Sequence, residues 1–204
     1  VYRQIWRGCY EHTMQFLQES VRQELLNRGL SPDKINVIIA EDSQVATFLL
    51  YNMSGQIVGY QTYRPGRPKV GQGLSPEMAK YFTHVASNGR DKMIAVWGVE
   101  NIRPDDTRLY VAEGIFDAIK VVNAGRSAIA ILTRNPKFVR DWFKILNMKI
   151  IGLLDNDDAS RSDVKRGLWA YVDEVHFTPD PYGDLGDMPQ HEVDQLLNRI
   201  ENGS

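Results

Sequence analysis

Between Tyr10 and Arg28 apolar side chains recur at Met14, Phe16, Leu17, Val21, Leu25 and Leu26, a spacing that mostly fits the buried stripe of an amphipathic helix. Gly29 is placed to cap it. In "SPDK", Ser31 as N-cap and Pro32 at the first helical position predict a second short helix. From Val45 the apolar period shortens and β-branched and aromatic residues take over: "VATFLLYNM", the turn "SGQ", then "IVGYQTYRP", which predicts a β-hairpin. "RPGRPKVGQGLSPE" follows, too polar to be buried and therefore a mobile or functional loop. "KMIAVWGV" predicts one more strand.

Beyond the turn "NIRPDD" the pattern alternates. "RLYVA", "SAIAIL", "KIIGLL" and "EVHFT" predict strands, and "IFDAIKVVNAG", "NPKFVRDWFKILN", "SRSDVKRGLWAYV" and "PQHEVDQLLNRI" predict the helices between and after them. Four successive strand–helix units imply right-handed crossovers and a parallel sheet covered on both faces. The fold class is thus α/β, with a smaller α+β part over residues 1–106 and the parallel domain over 107–204. Ligands of such sheets sit at the carboxyl ends of the strands.

Those ends are acidic. Glu113 follows "RLYVA", and Asp117 lies one helical turn further on the same face; Asp155 and Asp157 follow "KIIGLL" and share a side of an extended exit; Asp184 and Asp187 follow the last strand in "PYGDLGDM". Any one pair is ordinary: Asp157 and Asp158 suit a helix N-terminus, and "DLGDM" suits a surface loop. Three pairs on one sheet edge are not. Carboxylates so crowded stay ionised only beside a cation, and hard divalent ions prefer oxygen donors. The pattern points to metal-dependent phosphoryl transfer. By the two-residue alternation Asp158 turns away from Asp155 and Asp157.

Composition narrows the classes further. With 43% hydrophobic and 25% charged residues the 204-residue chain is globular. No apolar run is long enough to span a bilayer, so a soluble, cytoplasmic protein is expected, with no membrane partner. One cysteine, Cys9, and four scattered histidines leave no zinc cluster and no internal disulfide. The net charge of −2 argues against a simple nucleic-acid coat, yet residues 1–104 carry 12 basic against 9 acidic side chains and the remainder 12 against 17. Phosphates in front and metal ions behind are the partners this asymmetry suits. An opening Val1 in place of Met leads us to expect flanking domains outside this sequence.

"LYVAEGIFDAIKVVNAG" followed by "IIGLLDNDDASR" resembles the TOPRIM domain of primases, topoisomerases and small nucleases, with an EGxxD motif after one strand and DxD after a later one. "LLNRGLSPDKI", "SGQIVGYQTYRP" and "AKYFTHVASNG" resemble in order the opening, hairpin and KY-containing segments of the DnaG-like bacterial and phage primase core, and "DLGDM" stands where its third acidic motif does. This resemblance implies a Rossmann-like TOPRIM fold. It implies Glu113 as general base or metal ligand, and Asp117, Asp155 and Asp157, with Asp184 and Asp187, as holders of Mg²⁺ or Mn²⁺. Glu113, Asp155 and Asp157 would then be the catalytic acids. Arg64 and Lys80 match basic positions that meet nucleotide phosphates or template, with Tyr81 beside them. Tyr60, Tyr63 and Trp97 are further candidates for base stacking.

The implied function is template-directed synthesis of short RNA primers from nucleoside triphosphates on single-stranded DNA, in a bacterial or phage-infected cell. A replicative helicase, or a zinc-binding template-reading module outside this sequence, would be its protein partner. Two other readings use parts of the same pattern: a TOPRIM nuclease, which needs the acids and not the front half, and a non-catalytic nucleic-acid-binding accessory. A dinucleotide-binding fold lacks its GxGxxG in "AEGIFD".

Overall fold

A computed structural model describes residues 20–69, 75–89 and 91–203. The predicted helix from Tyr10 lies within them only at its end, α1 (Val21–Asn27), where the Ser20 side chain accepts a hydrogen bond from Gln23 N–H. Gly29, at φ +82°, turns the chain out of the helix, and Leu30 N–H closes on the Leu25 carbonyl at 2.8 Å.

The helix expected from Ser31 does not form. Ser31 O receives Lys34 and Ile35 N–H in a single turn, and the chain then extends so that Ile35 can enter the core. Four antiparallel strands follow in the order β1 (Ile38–Ala40), β2 (Val45–Tyr51), β3 (Ile57–Tyr63), β4 (Tyr81–Val85). The β2–β3 hairpin is the expected one. The KY segment is its third strand, pairing Tyr81 with Tyr63 and His84 with Tyr60. Gly59 is required there: a Cβ on it would meet the His84 carbonyl oxygen at 2.3 Å. "KMIAVWGV" is not a full strand but two isolated bridges, Val96 to Tyr51 and Trp97 to Ala130, which stitch the antiparallel sheet to the parallel one.

After a short antiparallel pair, β5 (Ser87–Asn88) and β6 (Asp91–Lys92), the second sheet has the order β10 (Glu174–Phe177), β9 (Lys149–Leu154), β7 (Arg108–Ala112), β8 (Ala128–Ala130), all parallel. Alternate residues feed opposite faces. Tyr110, Ala112, Ile151 and Leu153 face α2 (Ile115–Asn123) and α5 (Gln190–Asn202), while Leu109, Val111, Ile150 and Leu154 face α3 (Arg140–Ile145) and Trp169. The first of these apolar clusters also contains Phe48, Leu50 and Tyr63 of the front sheet, so the two sheets share a core.

Three predicted elements are shorter than their patterns. β8 ends at Ala130 because Leu132 sits at φ +58° and breaks the strand. "NPKFVRDWFKILN" opens as a 3-10 turn at Pro136 before α3 begins. α4 (Asp158–Lys165) stops short of Gly167, at φ +74°, and "LWAYV" continues as turns that lay Trp169 on Gly152, where a Cβ would meet the indole at 3.1 Å.

Candidate functional site

The register of the parallel sheet sets the site. Ala112 pairs with Leu153 and Leu154 with Phe177, so the chain leaves β7, β9 and β10 at one level, and Glu113, Asp155 and the loop to Asp184 start from one edge. Gly114 then lets α2 begin at once; a Cβ there would lie 2.6 Å from Asp117 Oδ2.

The acids fall into two coupled groups. Burial and the neighbouring charges of Asp155 and Asp157 push the Glu113 carboxyl up to about 7, against the relief given by Ser160 Oγ, which donates to Glu113 Oε1 at 3.2 Å, and by Arg134. Burial, then Asp184 and Asp155, raise Asp117 to about 7, although Gly186 N–H donates to its Oδ1 at 2.8 Å. Asp155 stands between, raised to about 6 by burial and by Asp184 and Asp157, with Lys69 and Arg134 pulling it back. Gly186 marks how closely the second group gathers. A Cβ built on it would lie 3.2 Å from both an Asp117 and an Asp184 oxygen and 3.4 Å from Arg28 Nη2.

Asp157 and Asp184 do local work as well. Asp157 caps α4, accepting Ser160 N–H at 2.6 Å, a bond that holds its carboxyl below the usual range. Asp184 caps the 3-10 turn Leu185–Asp187 through Asp187 N–H at 2.9 Å. Each keeps a second oxygen. Asp187 is exposed at the rim, near enough to Lys120 to act on its charge, while Lys120 itself is buried and donates to the Met188 carbonyl at 2.7 Å. Asp158 is exposed in the first turn of α4. Among the described residues no three His, Cys, Asp or Glu side chains stand close enough, as they are, to grasp one ion together.

The front sheet reaches this edge through Tyr81. Its hydroxyl accepts from Arg28 Nη1 at 2.9 Å, its ring stacks on Tyr63 at 5.3 Å, and Asp117 and Asp184 act on it electrostatically. Lys80 lies over the same two rings. Arg64 does not join them: it donates to Thr62 Oγ1 at 2.6 Å and lines, with Arg67, Thr47 and Glu24, a cavity of about 1140 Å³ at the end of the front sheet. Tyr60 stacks on His84 at the sheet surface and Trp97 is wholly buried.

Two arginines of the site escaped the sequence reading. Arg28 follows α1, a place read only for its glycine cap, yet its guanidinium lies 3.7 Å over the Phe116 ring and bonds Tyr81. Arg134 follows β8, the fourth strand exit. Its Nη2 pairs with Asp163 at 2.9 Å and its Nε lies 4.0 Å from Glu113. Asking what each of the four exits delivers, rather than where the acids are, would have found it.

No family model and no curated protein sequence matches the chain. Solved structures do. The catalytic core of DnaG aligns over 98% of this chain and 78% of its own at 19% identity, with a TM-score of 0.65. The primase fragment of the bacteriophage T7 primase-helicase protein aligns over 86% and 73% at 15% identity and TM-score 0.63. A chain from the bacteriophage T7 lagging-strand DNA polymerase complex with primase domains, which holds an RNA/DNA hybrid and dTTP, aligns over 87% and 90% at 17% identity and 0.64. The fold is therefore that of a DnaG-type primase catalytic core.

Proposed function

We propose that the protein is a primase catalytic core, a nucleotidyltransferase that joins ribonucleoside triphosphates into short RNA primers on single-stranded DNA. One observation carries the reading: Tyr81 and Arg28, from the part that precedes the parallel domain, converge on Asp117 and Asp184 at the acidic edge. A nuclease needs that edge alone. A front sheet keyed onto it supplies the wall along which a template and an incoming nucleotide can lie. The RNA/DNA hybrid in the T7 complex with primase domains supports a primer–template of that kind as the product here. On this reading residues 1–106 are the template-facing part and 107–204 the acidic one, working in the cytoplasm of a bacterial or phage-infected cell.

Glu113, Asp117, Asp155, Asp157 and Asp184, with Asp187 at the rim, form an oxygen-only donor set, three of them forced upward in pKa by burial and mutual repulsion. Such a set fits Mg²⁺ or Mn²⁺. When bound, a divalent ion supplies charge neutralisation around the triphosphate and the attacking oxygen. To Glu113, which accepts a hydrogen bond from Ser160 Oγ, we assign removal of the proton of the primer 3′-hydroxyl. Asp155 and Asp157 share its edge. Lys80 and Tyr81 hold the nucleotide or template from the front wall, and Arg64 catches template phosphate further along it. A zinc-binding template reader or a helicase is the expected protein partner.

The test is one gel. Labelled ribonucleotides, Mg²⁺ or Mn²⁺ and single-stranded DNA, with and without a preformed primer, should give short RNA products that vanish in Glu113→Gln and Asp155→Asn. Template cleavage without RNA synthesis would replace this reading with a nuclease; binding without either product would leave an accessory.

A further inference from the structure

Three of the four strand exits bring acids to the edge, and β8 brings Arg134. The approach to it is fixed by the backbone. Leu132 takes a left-handed conformation, φ +58°, which a leucine rarely adopts, and its N–H donates to the Glu113 carbonyl at 3.0 Å. Asn135 then caps the following turn through Lys137 N–H at 3.0 Å. The guanidinium between these two fixtures is anchored on one side only. Nη2 forms an ion pair with Asp163, whose side chain is 4% exposed and whose other oxygen is taken by Arg166.

That anchor is out of proportion to a surface ion pair. A buried carboxylate shared by two arginines holds Arg134 in one place, while 47% of the Arg134 side chain stays open to solvent. At 4.0 Å its Nε is too far from Glu113 for a hydrogen bond, so among the described residues the Nε–H is left without an acceptor. Among the described residues, the cation thus acts on Glu113, Asp155 and Asp157 through its charge, while its close partner is Asp163. Planar forks held this way suit phosphate oxygens.

We propose that Arg134 is a nucleotide-binding residue: anchored by Asp163, it presents its Nε edge to the phosphate chain of the incoming nucleoside triphosphate. This rests on the primase reading above. It assigns to the second domain a phosphate contact additional to the front wall, on the β8 side of Glu113.

The experiment is titration of ATP with Mg²⁺ into wild type, Arg134→Gln and Arg134→Lys, with primer synthesis measured on the same preparations and folding checked by circular dichroism. Arg134→Gln should weaken ATP binding and raise KM for nucleotide about tenfold with kcat changed less than threefold, and Lys should recover part of the affinity without the fork. Asp163→Asn, which keeps the shape and loosens the anchor, should weaken ATP in the same sense. Equal ATP affinity in folded wild type and Arg134→Gln would overturn the assignment. So would a fall in kcat alone with a shifted pH profile, which would make Arg134 a positioning residue for Glu113. A wild type that makes primers yet loses nothing with Arg134→Gln sinks this inference alone; a wild type that neither binds ATP nor makes primers sinks the primase reading with it.

Discussion

The acidic edge and the wall of the front sheet lie side by side and are built on opposite electrostatic plans. On the wall the polar groups are matched: Tyr63 donates to Glu24 at 2.8 Å, Arg28 to Tyr81, and Arg28 and Lys80 lie over aromatic rings. On the edge Glu113, Asp117 and Asp155 are all pushed upward, so their ionised forms are mismatched with their surroundings. A matched region adds to stability and holds shape. A mismatched one costs stability and is retained where something else will discharge it.

The contrast is broken most severely by neutralising the edge. Glu113→Gln or Asp155→Asn should lower primer synthesis at least ~100-fold, the scale of losing a proton-transfer group, and should raise the melting temperature at pH 8. A fall in both activity and stability would mean that these acids are held by attraction rather than crowded.

The pH dependence follows from the same shifts. Glu113 and Asp117 titrate near 7 and Asp155 near 6 in the folded chain, above the ordinary values of 4.5 and 3.8. Below about pH 3 these groups are largely protonated folded or unfolded and contribute little. As pH rises from there toward 7 the unfolded chain ionises more readily, and stability is lost. For the mostly buried Glu113 the scale is about 3 kcal/mol, shared with its neighbours rather than added to theirs. Adding Mg²⁺ should return stability, more at pH 8 than at pH 5, as seen in thermal melts across that range.

On the wall, Arg28→Ala removes a guanidinium that touches both sheets. We expect a loss of about 2 kcal/mol in denaturant unfolding, with the Asp117 carboxyl driven further upward once its cation is gone. Asp157→Ala should cost about 1 kcal/mol through the α4 cap, a loss that Ser or Asn at 157 largely restores. Smallest of all, Asp158→Asn should leave activity within twofold and stability within about 0.5 kcal/mol.

How much of this was legible depended on the range of the interaction. The β7–α2–β8 and β9–α4 units were readable because strand and helix periods, and the glycines at 114 and 125, are local. The β2–β3 hairpin was readable for the same reason. β1 and β4 were not: three residues at 38–40 and a mixed run at 81–85 become strands only by pairing with neighbours already in place. The failed helix at Ser31 and the failed strand at Met93 to Trp97 are the converse, local signals overridden by the burial of Ile35 and Trp97.

The sequence by itself determined the alternation that makes a parallel sheet, and with it the edge to which Glu113, Asp155 and Asp184 must come. Those follow from periodicity and from the handedness of crossovers. Only the tertiary structure decided which acids crowd one another, that Asp157 and Asp184 each give one oxygen to a cap, and that Arg28 and Arg134 enter from distant segments. Charge interactions act through space and across solvent-poor gaps, so their strength is set by packing distances that no spacing along the chain encodes.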